Sequence, residues 1–191
     1  MGSNPGLPEA FVHLVSPPAG TSNLCSTGRA DTRLQPGGRY CCMRSEIDML
    51  LNGKCHCGNI AFELEWEGDP AAIPARACGC SFCVKHGGVW TSHPKSRLAV
   101  AIRDASLVSK YAFGSRTATF HVCSRCGAVP LVTSEIADRL YAVVNVNVLE
   151  NLDQSRLRRA AANFEGEDVE ARLARRRQNW IADVRIAESG A

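Results

Sequence analysis

Three short stretches hold the residues most able to do chemistry: Cys55-His56-Cys57-Gly58, Cys78-Gly79-Cys80-Ser81-Phe82-Cys83 and Cys123-Ser124-Arg125-Cys126-Gly127. They contain seven of the chain's ten cysteines. A C-x-x-C turn followed by glycine lets two thiolates converge on one ion while nearby backbone N–H groups stabilise their charge, as in zinc knuckles and ribbons. Two such pairs supply the four thiolates of a closed tetrahedral site. Cys55 and Cys57 are therefore expected to join Cys123 and Cys126 around a structural zinc that clamps the start of the domain to its later strands. Disulfides are the alternative for these pairs.

The triplet Cys78, Cys80 and Cys83 leaves a tetrahedral zinc one ligand short, and catalytic zinc sites keep such a position for water or substrate. A zinc held there would act as a Lewis acid that lowers the pKa of a bound thiol or water. A thiol cosubstrate suits a thiophilic ion. The alternative is a second structural site closed by a fourth ligand such as His86. The segment Val84 to Pro94 is expected to border an open site and set its selectivity. Within it, His86 or His93 would be candidates to shuttle a proton, and Lys85 to attract a carboxylate of the thiol carrier. Cys25, Cys41 and Cys42 read as incidental thiols.

The elements that must position these cysteines read mostly as antiparallel β. From Ile60 the chain alternates, with Ile60, Phe62, Leu64 and Trp66 on one face and Ala61, Glu63, Glu65 and Glu67 on the other, the period of a half-buried strand. Gly68-Asp69-Pro70 ends it. Similar alternation returns over 98–102, in Ala118, Phe120 and Val122, and in Leu140 through Val148. Near the end, Glu167-Asp168-Val169-Glu170 opens a helical pattern with Val169, Leu173 and Trp180 on one face. The arginines toward its end match the helix dipole, and Arg175-Arg176-Arg177 reads as its solvated side.

A chain of 191 residues that is 45% hydrophobic fits one domain. The organisation expected is a leader over 1–48, a zinc-binding domain over 49–150 and a C-terminal extension with one helix over 151–191. The leader is rich in Gly, Pro, Ser and Arg, and Met49 stands directly before the domain. It reads as disordered or as an over-extended gene start. The 22 basic and 19 acidic residues are interspersed and sum to +3, which argues against a nucleic-acid partner. No apolar run approaches a membrane span, and the start lacks a secretory signal. Clustered thiols in an unexported chain belong in a reducing compartment, so cytoplasm is expected, with metal binding favoured over disulfides.

The motif series C-x-C-G, C-x-C-x-x-C and C-x-x-C-G, here Cys55 to Gly58, Cys78 to Cys83 and Cys123 to Gly127, resembles the family of glutathione-dependent formaldehyde-activating enzymes, which also contains centromere protein V. The resemblance spans about residues 51 to 149. It implies a mainly β fold, a tent of coiled antiparallel sheets, with a structural zinc on the outer pairs and a catalytic-type zinc on the triplet. It also implies a carbon–sulfur lyase that joins formaldehyde to glutathione as S-(hydroxymethyl)glutathione. The partners expected are a small thiol such as glutathione and an aldehyde. Motif alone does not fix the reaction, so a noncatalytic zinc module for a protein partner stands as the rival reading. A zinc-stabilised sulfoxide reductase is a third, but it leaves the triplet unexplained. No dinucleotide, P-loop or serine-hydrolase motif is present.

Overall fold

A computed structural model of the chain describes residues 49–188; the leader and its cysteines Cys25, Cys41 and Cys42 lie outside these. The protein is mainly β, and the described residues form eleven strands in two sheets. The first sheet has the order β1 (Met49–Lys54), β2 (Ile60–Trp66), β5 (Arg97–Ile102), β11 (Asp183–Glu188). The second runs β10 (Leu157–Ala162), β3 (Ile73–Cys78), β4 (Val89–Thr91), β9 (Arg139–Asn145), β8 (Leu131–Ile136), β7 (Thr119–Cys123), β6 (Val108–Tyr111). The described residues also include two α-helices, α1 (Ser81–His86) and α2 (Val169–Asn179).

The alternating pattern at Ile60 does form a strand, and Ile60, Phe62, Leu64 and Trp66 are all buried in the main core with Leu98, Val100 and Ile102 of β5. The opposite face is less polar than alternation suggests, because Ala61 and Ala101 are also buried and pack with Ala99. Gly53 lies opposite Phe62 in the β1–β2 register. A methyl group there would fall within the Phe62 ring, so the bare backbone is what lets that ring cover β1. The third expected strand, with Phe120 and Val122, is β7, although Ala118 precedes it. The last expected strand stops at Asn145, three residues before Val148. There the Asn145 side chain accepts the Asn147 N–H at 3.1 Å and turns the chain into a 3-10 segment, Val146–Val148.

Seven strand pairings are antiparallel. The two parallel ones, β10 with β3 and β11 with β5, both come from the C-terminal stretch. That stretch thus adds a strand to each sheet besides the expected helix, with β10 and β11 each at a sheet edge. Short strands such as Leu-Arg-Arg-Ala-Ala-Ala in β10, mostly exposed, carry little alternation for a sequence reading to detect.

Helix α2 begins where expected, since Asp168 accepts the Ala171 N–H at 2.8 Å as N-cap. Its faces differ from the reading above. Val169 is 49% exposed, whereas Arg176 is only 7% exposed. The cause is what the helix docks on: Arg176 Nη1 donates to the Thr117 carbonyl at 2.7 Å, to Thr117 Oγ1 at 2.9 Å and to Ser134 Oγ at 3.1 Å. Its guanidinium also sits 4.9 Å from the Trp180 ring centroid. Arg175–Arg177 is therefore not a uniformly solvated run. No helix among the described residues is long and apolar enough to cross a membrane.

Candidate metal centres and the adjoining cavity

Cys55 and Cys57 sit in the turn between β1 and β2, in the four-stranded sheet, while Cys123 ends β7 of the seven-stranded sheet and Cys126 follows in its turn. The two turns are built alike. Gly58 donates to the Cys55 carbonyl at 2.8 Å with φ of 73°, and Gly127 donates to the Cys123 carbonyl at 2.8 Å with φ of 74°. Glycine reaches that left-handed conformation without strain. The chain then returns into the sheet through Cys55 N–H to Ile60 O at 2.8 Å and Cys123 N–H to Ala128 O at 2.9 Å.

The four sulfurs all lie within 4.8 Å of one another. Cys55 Sγ is 3.6 Å from Cys57 Sγ, which is 3.4 Å from Cys123 Sγ. Those separations are far beyond the ~2.05 Å of a disulfide. They approach the roughly 3.8 Å that four zinc–sulfur bonds of about 2.3 Å would require in a tetrahedron. Burial pushes the Cys55 thiol up to about 12 and raises Cys123 as well. Cys126, against the upward push of its own burial, is brought down to about 6 by the Ala128 and Cys57 backbone N–H groups and by the neighbouring thiols. Sulfurs this crowded cannot all ionise beside one another, and a cation is what would let them. The donor set fits zinc.

The triplet is assembled within a few residues. Cys78 ends β3, Cys80 is the N-cap of α1, accepting the Cys83 N–H at 3.5 Å, and Cys83 lies in the first turn. Main-chain bonds hold the segment on both sides: Gly79 donates to Ala162 O of β10 at 2.9 Å, Cys78 to Gly88 O at 3.2 Å and Gly88 to Cys83 O at 2.8 Å. These three sulfurs also lie within 4.8 Å of one another. The Cys83 thiol donates to Cys78, the chief reason Cys78 falls to about 5, and the same bond with burial raises Cys83. Arg175 adds a smaller downward pull on Cys78. This set also fits a thiophilic cation, and it offers three sulfurs rather than four.

The Trp90 indole N–H donates to Cys83 Sγ at 3.3 Å, so one sulfur of the triplet is oriented by a buried side chain of β4. Partners of this kind typically carry 10–100-fold in metal affinity or activity. Trp90→Phe, which keeps the ring but loses the donor, is expected to weaken zinc at the triplet by about tenfold or more. Competition against a chromophoric chelator measures this, and unchanged affinity would remove Trp90 from the site.

A cavity of about 710 Å³ opens directly on Cys78, Cys80 and Cys83. Its apolar wall comes from Trp90, Phe113, Phe120, Phe164 and Trp180, and four arginines, Arg76, Arg172, Arg175 and Arg176, share its lining. Of the segment 84–94, only Trp90 lines it. Lys85 and His86 are exposed on the outer side of α1, with the His86 ring 4.3 Å from that of Phe82. His93 is half-buried against Trp66, ring centroids 5.8 Å apart, and its pKa is lowered by burial and then by Lys95. His86 does not join the converging sulfurs. The arginines escaped the sequence reading. Arg76 alternates with Cys78 on β3 and so shares its face, but nothing local marks the α2 arginines as facing a cavity.

A crystal structure of a Rhodobacter sphaeroides protein is 31% identical to this chain, over 54% of this chain and 91% of that one, with a TM-score of 0.41. The family model of the glutathione-dependent formaldehyde-activating enzyme matches residues 50–166, and with the seven cysteines inside that span the chain belongs to this family.

Proposed function

We propose that this protein is a zinc-dependent carbon–sulfur lyase of the S-(hydroxymethyl)glutathione synthase type, with one zinc held structurally by Cys55, Cys57, Cys123 and Cys126 and a second by Cys78, Cys80 and Cys83. The observation that carries the reading is that the second donor set has three sulfurs and faces a cavity large enough for a small thiol. When bound there, zinc would supply the Lewis acidity that keeps a thiol ionised near neutral pH.

The remaining work belongs to the chain. Trp90 fixes Cys83 through its indole N–H. The aromatic wall gives the reacting centre an apolar side, and the arginines raise the local potential that draws an anionic thiol inward. In the forward direction the substrate's S–H bond breaks and a C–S bond forms to the formaldehyde carbon. The carbonyl oxygen then takes up a proton to become hydroxyl, so that one proton leaves sulfur and one arrives on oxygen. With His86 and His93 outside the cavity lining, these protons exchange with solvent at its mouth.

Purified, reduced protein is expected to contain two zincs per chain and to consume formaldehyde in a glutathione-dependent reaction. Two zincs with no turnover for glutathione or any other thiol tested would sink the lyase reading and favour a noncatalytic zinc module. One zinc at most would undo the two-site assignment.

A further inference from the structure

We infer that Arg76 of β3 and Arg176 of α2 form a carboxylate-binding subsite in the cavity wall, which holds an acid group of the thiol substrate while its sulfur reaches the triplet. The inference rests on the lyase reading for its substrate, but the site itself is argued from charge and hydrogen bonding. The family match ends at residue 166, so it spans Arg76 but stops before α2, which begins at Val169 and carries Arg176.

The four cavity arginines are not equivalent. Arg175 is satisfied by Glu167, with Nε and Nη2 donating to its two carboxylate oxygens, each at 2.8 Å, and its guanidinium lies 3.6 Å from the Phe164 ring centroid. Arg172 reaches the same carboxylate at 3.6 Å and donates to the Phe164 and Glu167 carbonyls. Arg76 and Arg176 have no carboxylate within ion-pair distance among the described residues. Among the described residues Arg76 donates only to Ser92 Oγ, at 2.6 Å. Arg176 is almost fully buried, uses Nη1 for all three of its hydrogen bonds, and leaves Nε buried without a partner.

A guanidinium as buried as that of Arg176, with the half-buried Arg76 sharing the same cavity lining, is costly without a counter-charge unless a ligand supplies one. Arg176 also feels repulsion from Arg175 and Arg172, which adds to burial in lowering its pKa. Among the described residues, Glu165 is the one acidic residue that lines the cavity. A planar carboxylate matches the guanidinium fork, and a buried charge pair of this kind is far stronger than one in water. The spacing suits a small thiol acid. Arg76 and Cys78 lie two residues apart on one face of β3, about 7 Å along the strand.

The test uses the full-length zinc-loaded protein and S-methylglutathione, which keeps both carboxylates but has no thiol to ligate a metal. Calorimetry is expected to show binding to wild type, none for the dimethyl ester of the same compound, and affinity lowered by roughly 30-fold or more in Arg76→Met. Because Arg176 also ties α2 to Thr117 and Ser134, its variants are Arg176→Lys and Arg176→Met, each checked for zinc content and melting temperature. The lysine variant is expected to retain part of the affinity through its charge. Equal binding of acid and ester, no binding to wild type, or unchanged affinity in Arg76→Met would each overturn the subsite. Loss of formaldehyde turnover in a wild-type protein that still binds S-methylglutathione would count against the lyase reading alone.

Discussion

Cys123→Ser is expected to leave the protein unfolded or molten at room temperature, with loss of the fold rather than a modest shift in melting. Cys123 is fully buried at the end of β7, and its sulfur lies 3.4 Å from that of Cys57 in the opposite sheet. Removing it takes one of four converging sulfurs from the cluster that joins turns of the two sheets at this end. It also leaves a buried hydroxyl in place of a thiolate. A structural zinc contributes roughly 10–16 kcal/mol of apparent folding free energy in small domains, against a net stability of about 5–15 kcal/mol for a whole domain. Even a fraction of that contribution is decisive. Circular dichroism melting with zinc analysis on the same sample checks this, and prolonged strong chelation of the wild type should reproduce the loss. A cooperative melt within a few degrees of wild type would show that the cluster does not carry the fold.

Cys80→Ser is expected to do the opposite. It should keep a near-native melt while zinc falls from two per chain to one and turnover drops by more than 100-fold, beyond what loss of an outer hydrogen-bond partner costs. The serine is chosen because Cys80 is the N-cap of α1, with its side chain accepting the Cys83 N–H. Serine is among the preferred N-cap residues, so the helix start survives while a strong zinc ligand is lost. The surrounding frame does not depend on this sulfur either, since β3 stays paired with β10 on one side and β4 on the other. Metal analysis, melting and formaldehyde consumption on one preparation separate the possibilities. Full zinc and full turnover would exclude Cys80 from the chemistry, and an unfolded variant would make the triplet structural.

The contrast between these two variants follows from where each cluster sits. The four-cysteine group joins turns of different sheets, separated by 66 residues between Cys57 and Cys123. The triplet closes within six residues, with Cys78 and Cys83 held by β3, α1 and the bonds around Gly88. A cross-link between distant parts of the chain bears on the global fold, whereas a local one bears mainly on its own loop.

Seven cysteines in knuckle spacing were enough to anticipate two clusters and the family. The chemistry of metal ligation is written in residue type and in separations of two or three positions, which depend little on the rest of the chain. The strand at Ile60–Trp66 and the helix after Asp168 were legible for a similar reason, one by its period of two and the other by its N-cap. What tertiary structure alone decided was the cavity and its charge. Whether Arg176 is solvated or buried depends on Thr117 and Ser134, which lie 59 and 42 residues earlier in the chain. Likewise Lys85, His86 and His93 are near the triplet in sequence, yet α1 and its following turn carry them outside the cavity lining, while the distant α2 supplies three of its four arginines. Ligand spacing is local and survives in one dimension. The environment of a side chain is set by which elements pack against it, and that is fixed only when the whole chain has folded.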